Sequence, residues 1–378
     1  MNFSDSAPPQ LSASYDTIAI PLFAPTGQEN GYWPDPGRDI LTNDADKGGA
    51  FTLDTGTHVL MGVALGSLAS LDPTIAHDPF LSHAVLIGTL AGSQAPDIDT
   101  ILKLRNNAKY IRNHRGITHS IPAVVIWPLL IVGIMAAVYP ETDWLRVWLW
   151  TFVAVAFHVF VDIFNAYGTQ ALRPFTKKWI ALGVVHTFDP VIFALHLLGV
   201  GALFLNVHPG YAFLVVYALV AAYYVFRFRE QANIKQLVHA SIQGVTDIIT
   251  VPTWRPREWH LAISTCDEFY VARVKHGELI ILDRFQKRPL PDHPVINAAK
   301  RDENVAAFLS FSPVYRWEMN EYDDYYEVRF TDLRYRSKGY YPFVAVVQLD
   351  RNLNIVSSYT GWIFSEGRLR KRLEVTPN

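Results

Sequence analysis

From Ile121 to Tyr139 the chain carries no charged side chain, and no other feature constrains its fold as much. A run of that length and polarity matches the roughly 20 residues a helix needs to cross the hydrocarbon of a bilayer. Trp144 to Phe164, Trp179 to Val207 and Tyr211 to Phe228 read as further full-length spans, and Trp or Tyr residues gather at their ends, as interfacial aromatics do. His58 to Leu71 and Ala84 to Ala95 are shorter and rich in Gly and Ala, the composition of short or re-entrant spans that pack closely. The expectation is an α-helical integral membrane bundle of four to six spans. At 50% hydrophobic and 18% charged residues the chain is too polar to be membrane throughout, so a soluble part is expected as well.

That part follows the last span. Beyond about residue 230, segments such as Phe269 to Lys275, Leu279 to Phe285, Tyr325 to Phe330 and Phe343 to Leu349 alternate or are rich in Val, Ile, Tyr and Phe. Turn signals, among them His276-Gly277 and Ser337-Lys338-Gly339, separate them. Three regions are therefore expected: a disordered extension over 1–52, a membrane-embedded domain over 53–229 and a mainly β cytoplasmic domain over 230–378. Lys103, Arg105, Lys109, Arg112 and Arg115 share one loop, Arg173, Lys177 and Lys178 a second, and Arg227 and Arg229 follow the last span. The intervening loops hold Arg146 alone, so the positive-inside rule places the basic loops and both termini in the cytoplasm. A formal charge of -2 gives no electrostatic reason to expect nucleic acid. With Cys266 the sole cysteine, any metal must be held by His, Asp, Glu or Asn, a donor set typical of open, catalytic sites.

The chemistry concentrates at the mouth of the bundle. His114-Arg115-Gly116-Ile117-Thr118-His119-Ser120 directly precedes the apolar run, and polar groups so placed must be paired or solvated. Threading six spans from an inside N-terminus brings His58, Asp97, Asp99, His114, His119, His158 and Asp162 to the cytoplasmic end, where they are the candidate metal ligands. His158 and Asp162 are four apart, so they share a helix face, and Asn165 continues it. Structural readings compete: a His158–Asp162 hydrogen bond, a solvated acidic turn at Asp97 and Asp99, and a helix cap at Asp189-Pro190. Thr118 and Ser120 are candidate caps for the following helix. Arg115 is suited to clamp an anionic oxygen, with Thr118 and Asn165 as further substrate contacts, and Asp99 or Asp189 would serve as general base.

Four blocks, Asp54-Thr55-Gly56-Thr57-His58, Ala95-Pro96-Asp97-Ile98-Asp99, His114 to Ser120 and His158 to Thr169, together resemble the YdjM/YbcI family across about Thr55 to Phe228. Its members are described as inner-membrane, metal-dependent hydrolases. The resemblance implies a cell inner-membrane location and hydrolytic chemistry with a divalent metal, zinc first, manganese or magnesium next. A site at the bilayer surface suits a lipid or phosphoester substrate. The alternatives are a metal or ion transporter, whose site belongs nearer the midplane, and a regulatory membrane protein with a structural metal.

Overall fold

The computed structural model describes residues 45–104, 107–138 and 141–374, without side-chain detail for 45–53 and 102–104. Of the extension expected over 1–52, residues 1–44 lie outside the described residues, as does Arg105. Residues 45–52 are helical, as the start of α1 (Ala45–Leu68).

The helical part continues through α2 (Pro73–Ala76), α3 (Pro79–Gln94), a 3₁₀ segment (Ala95–Leu104), α4 (Asn107–Asn113), α5 (Ile121–Val138), α6 (Trp144–Asp162), α7 (Pro190–Phe204) and α8 (Pro209–Ser241). Asp78, Asp143 and Asp189 each open a helix by accepting backbone N–H bonds with the side chain, and proline follows Asp78 and Asp189 at the first helical position. Ser120 caps α5 through Ala123 N–H, whereas Thr118 turns elsewhere. Close approach sets the bundle's geometry. A Cβ on Gly62 would lie 3.0 Å from the Leu90 Cα, and one on Gly92 would lie 2.9 Å from the Thr151 carbonyl oxygen, so α3 touches α1 and α6 backbone to backbone.

Among the described residues three helices, α5, α6 and α8, are long and apolar enough to cross a membrane. Only 17% of α5 is buried within the protein, and Leu129, Ile134 and Val138 stand more than half exposed on it, a surface that water would not tolerate and lipid would. The span expected from Trp179 to Val207 is different in the structure. Its helical part, α7, has 15 residues, and residues 163–189 form an irregular segment in which Gly168 and Gly183 take left-handed φ of 71° and 58°. Helix α8 runs well past Phe228 for 33 residues, about 50 Å. Its second half belongs to the C-terminal part: Ile234 and Val238 pack on Trp259, Leu261 and Ile263, and the Arg227 guanidinium lies 4.1 Å over the Trp259 ring.

The C-terminal part holds two antiparallel four-stranded sheets, each a meander. The first comprises β1 (Asp247–Pro252), β2 (Glu258–Ser264), β3 (Glu268–Lys275) and β4 (Glu278–Gln286). The second comprises β5 (Tyr315–Glu321), β6 (Tyr325–Asp332), β7 (Phe343–Asp350) and β8 (Ile355–Trp362). His276 and Gly277, both at positive φ, form the two-residue turn joining β3 to β4. Helices α9 (Pro294–Ala299) and α10 (Glu303–Phe311) cover the second sheet, and α11 (Glu366–Glu374) ends the described chain. The core between α10 and that sheet also takes in Ile111 of α4, Tyr167 and Trp179, and the Asn107 amide donates to the Thr360 carbonyl. The segments that carry the candidate site are thus held from behind by the C-terminal part.

Candidate metal centre

Asp97, His119, His158 and Asp162 come from the 3₁₀ segment, the loop before α5 and the last turn of α6, and present ligand atoms that all lie within 4.8 Å of one another. His119 Nε2 is 3.3 Å from Asp162 Oδ2 and 3.5 Å from Asp97 Oδ1, and His158 Nε2 is 3.6 Å from each of the same two oxygens. Four ligands at about 2.0–2.2 Å around a tetrahedral cation are separated by edges of roughly 3.3–3.6 Å. The four histidine–carboxylate edges of the cluster already lie in that range.

The remaining atoms of the two imidazoles fix their tautomers. His158 Nδ1 lies 2.6 Å from the Ser93 carbonyl oxygen, which only accepts, so Nδ1 carries the proton and Nε2 points inward bare. The Thr118 hydroxyl donates to Asp99 Oδ2 at 2.6 Å, so at 3.1 Å it must accept from His119 Nδ1–H, again leaving Nε2 for a metal. Support of this kind behind each imidazole is how metal-binding histidines are oriented. The four inward atoms, His119 Nε2, His158 Nε2, Asp97 Oδ1 and Asp162 Oδ2, are buried and without a hydrogen-bond partner. Unpaired buried polar atoms are rare in folded proteins because each costs about 1–3 kcal/mol. The residues fit a divalent cation.

Electrostatics without a cation point the same way. Burial opposes ionisation of Asp97, but the His158 and His119 imidazoles outweigh it and hold the carboxyl well below the usual carboxylate range. Burial likewise opposes protonation of His119, and the attraction of the nearby Asp162 and Asp97 carboxylates overcomes it, raising the imidazole to about 9. In the absence of a metal, a proton on His119 partly offsets the two carboxylates.

Other expected residues surround this centre in different roles. Asp97 also forms a second potential group with Asp99 and His114. There His114 Nδ1 is 2.8 Å from Asp99 Oδ1, while Asp99 Oδ2 accepts from Arg115 N–H and Thr118, so Asp99 acts mainly as a brace. His58 is buried with its ring stacked on His158 at 3.9 Å between centroids; its Nε2 lies 3.7 Å from Asp162 Oδ1, outside the four-ligand group. Both of its nitrogens lack a hydrogen-bond partner.

Three residues are committed elsewhere. The Arg115 guanidinium is buried, 3.1 Å from Asp54 and 3.2 Å from Asp162, so it holds a ligand in place instead of lying open to substrate. Its backbone sits at φ 58°, a conformation that costs a non-glycine residue on the order of 1 kcal/mol and that the two ion pairs hold in place. Asn165 Oδ1 accepts from the Tyr167 and Gly168 N–H groups, shaping the turn after α6 instead of contacting substrate. Asp189 caps α7 with one oxygen and accepts from the Tyr223 hydroxyl with the other, so neither is free to act as a base. His186 bonds locally to Phe188, and His77, His83, His196 and His208 belong to neither group. Asp54 was not among the expected residues, although it stands four before His58 on one helix and anchors Arg115.

The residues 53–234 that contain every one of these groups match the model of the YdjM inner membrane protein family. A second comparison decides the kinship: the YfhP protein of Bacillus subtilis (strain 168), itself described as uncharacterized, is 56% identical over 324 residues, 85% of this chain and 99% of that protein. The chain belongs to the YdjM inner membrane protein family. It is therefore a membrane protein, in keeping with its three apolar helices. Like the Bacillus protein it extends beyond the family's core: residues 243–285 match the YfhP middle domain, which is the first sheet, and 294–373 match the YfhP C-terminal alpha/beta plait domain, which is the second sheet with its helices. No solved structure matches the chain.

Proposed function

We propose that the chain is a multi-pass inner-membrane hydrolase whose metal centre faces the cytoplasm and acts on a phosphoester or lipid-linked substrate. The observation that carries this reading is the convergence of four buried, unpartnered ligand atoms with both histidine tautomers set from behind. A divalent cation at that point, zinc by donor set and edge length, would supply Lewis acidity for polarising an ester or phosphoryl oxygen and activating water. Asp97, His119, His158 and Asp162 would hold it, and Asp97 would be shared with a second cation on Asp99 and His114. Arg115 fixes the orientation of Asp162. His58 replaces Asp99 and Asp189 as the proton acceptor, because its two nitrogens are unengaged beside the centre. Ile98, Ile101 and Ile117, each at least half exposed on the ligand-bearing segments, give the site an apolar rim suited to a lipid-linked substrate.

The test is hydrolysis by full-length protein in lipid nanodiscs, with p-nitrophenyl phosphate, bis(p-nitrophenyl) phosphate and lipid phosphoesters as probes. Metal-dependent turnover is expected that falls at least a hundredfold in His119→Ala and Asp162→Asn, by analogy with other losses of essential groups, and survives in His208→Ala. Turnover that persists in the ligand variants, or a metal-loaded protein that cleaves none of the probes, would overturn the hydrolase reading.

A further inference from the structure

Away from the metal centre, a cleft of about 840 Å³ opens where three parts of the chain meet: the irregular segment after α6, helix α8 with β1, and the turn from α10 to β5. Lys177, Lys178 and Lys235 line it, and among the described residues none of the three pairs with a carboxylate. Among the described residues that line the cleft Asp247 alone is acidic, which leaves an excess of positive charge. Arg334 adds none, since its guanidinium donates to both oxygens of Asp332, which neutralises it. Two donors in the walls are buried and unpartnered: the hydroxyl of Ser312, which is 2% exposed, and the indole N–H of Trp179. Unpaired lysines beside idle donors form a receptor for an oxyanion.

The neighbouring surface indicates where that anion comes from. Leu172 and Phe175 precede the lysine pair on the same loop and are 46% and 84% exposed. An apolar tip followed by two lysines is the composition of a segment that rests in a membrane interface, with hydrocarbon in the acyl region and ammonium groups among phosphates. Lys235 stands on α8 about two turns beyond Arg227, where the apolar part of that helix ends, and its long stem can bring the charge back towards the headgroups.

We propose that this cleft binds the phosphate of an anionic phospholipid headgroup. The site is separate from the metal centre and does not depend on hydrolytic activity. It lies where the segment after α6 meets α8 and the C-terminal part, and Tyr167 and Gly183 in its wall flank the turn that Asn165 organises.

The experiment uses full-length protein. Native mass spectrometry counts phosphatidylglycerol and phosphatidylcholine retained by wild type, by Lys177→Gln/Lys178→Gln/Lys235→Gln, and by a control triple, Lys275→Gln/Lys300→Gln/Lys338→Gln. Calorimetry with glycerol 3-phosphate, on protein in zwitterionic nanodiscs, forms the second arm. Each lysine near an anionic surface contributes roughly fivefold, so the cleft triple should weaken phosphatidylglycerol retention on the order of a hundredfold. The control should leave it unchanged, and phosphatidylcholine should not be retained. Glycerol 3-phosphate binding that depends on the three lysines, with no anionic lipid retained, would keep the phosphate site and overturn its lipid source. Equal retention of both lipids, or retention indifferent to the cleft lysines, would overturn the site.

Discussion

Thr118→Val tests the support behind the metal centre without removing a ligand. The valine is nearly isosteric, but it loses the bond that the hydroxyl donates to Asp99 and the one it accepts from His119 Nδ1–H. Asp99 keeps the Arg115 N–H at 3.1 Å, so the brace survives on one side. In the metal-free variant the loss of the Nδ1 acceptor disfavours the doubly protonated imidazole, so His119 keeps a single proton on Nε2, between Asp97 and Asp162. To bind a cation it must move that proton to Nδ1, where no acceptor remains. The penalty therefore falls on the metal-bound state, and losing a supporting contact of this kind typically lowers affinity 10- to 100-fold, about 1.4–2.8 kcal/mol. Competition against a zinc chelator, on detergent-purified protein, reads that affinity. Thr118→Ser, which restores a hydroxyl, should recover most of it. Wild-type affinity in Thr118→Val would refute the reasoning that the tautomer is set by this residue.

Three other outcomes follow from the same geometry. Arg115→Met leaves Asp54 and Asp162 buried without their shared cation, a loss of about 3–5 kcal/mol on the scale of broken buried pairs; thermal unfolding should show the double variant Asp54→Asn/Arg115→Met to be the more stable of the two, and equal or lower stability would contradict the pairing. Because His119 of the metal-free protein holds a proton up to about 9, metal binding must expel it, so affinity should rise by up to about tenfold per pH unit from 6.5 towards 9; a flat chelator-competition profile would count against His119 as a ligand. Asp189→Ala should cost about 0.5–2 kcal/mol of stability through the lost cap of α7 while metal content stays at the wild-type level, and a drop in metal would return Asp189 to the centre.

The parts of the site written in local spacing were legible in the sequence. His158 and Asp162 stand four apart on a helix, and Asp97 and His119 join them at the end of the bundle that threading indicates. What spacing does not encode is which polar groups brace and which bind. Asp99, Asn165 and Arg115 have the right chemistry for direct roles, and only tertiary contacts show them supporting Thr118, the turn after α6 and Asp162. Asp54 has the same four-residue spacing to His58, but an extension drawn to residue 52 left it at the margin of the bundle. Residues 179–207 read as one span because hydropathy cannot tell a side chain facing lipid from one facing protein. Trp179 packs into the C-terminal core beside Phe311, at 5.1 Å between ring centroids, and helix begins only at Pro190. Strands β1 and β5 went unanticipated, since Ile248 to Val251 lack clean alternation and Tyr315 to Glu321 mix apolar with charged residues. The packing of Ile111, Tyr167 and Trp179 into the second sheet's core also means that deleting residues 230–378 would strip the backing of the metal-site segments. Point variants are the sounder probe.

The most direct measurement is metal content by mass spectrometry on detergent-purified full-length protein, for wild type, His119→Ala, Asp162→Asn and His208→Ala. The account predicts a stoichiometric divalent metal in wild type and His208→Ala that is lost from the other two. Wild-type protein that carries no metal above background, after purification in zinc-, manganese- and magnesium-supplemented media, would contradict it and leave the cluster as a proton-sharing core of the helix bundle.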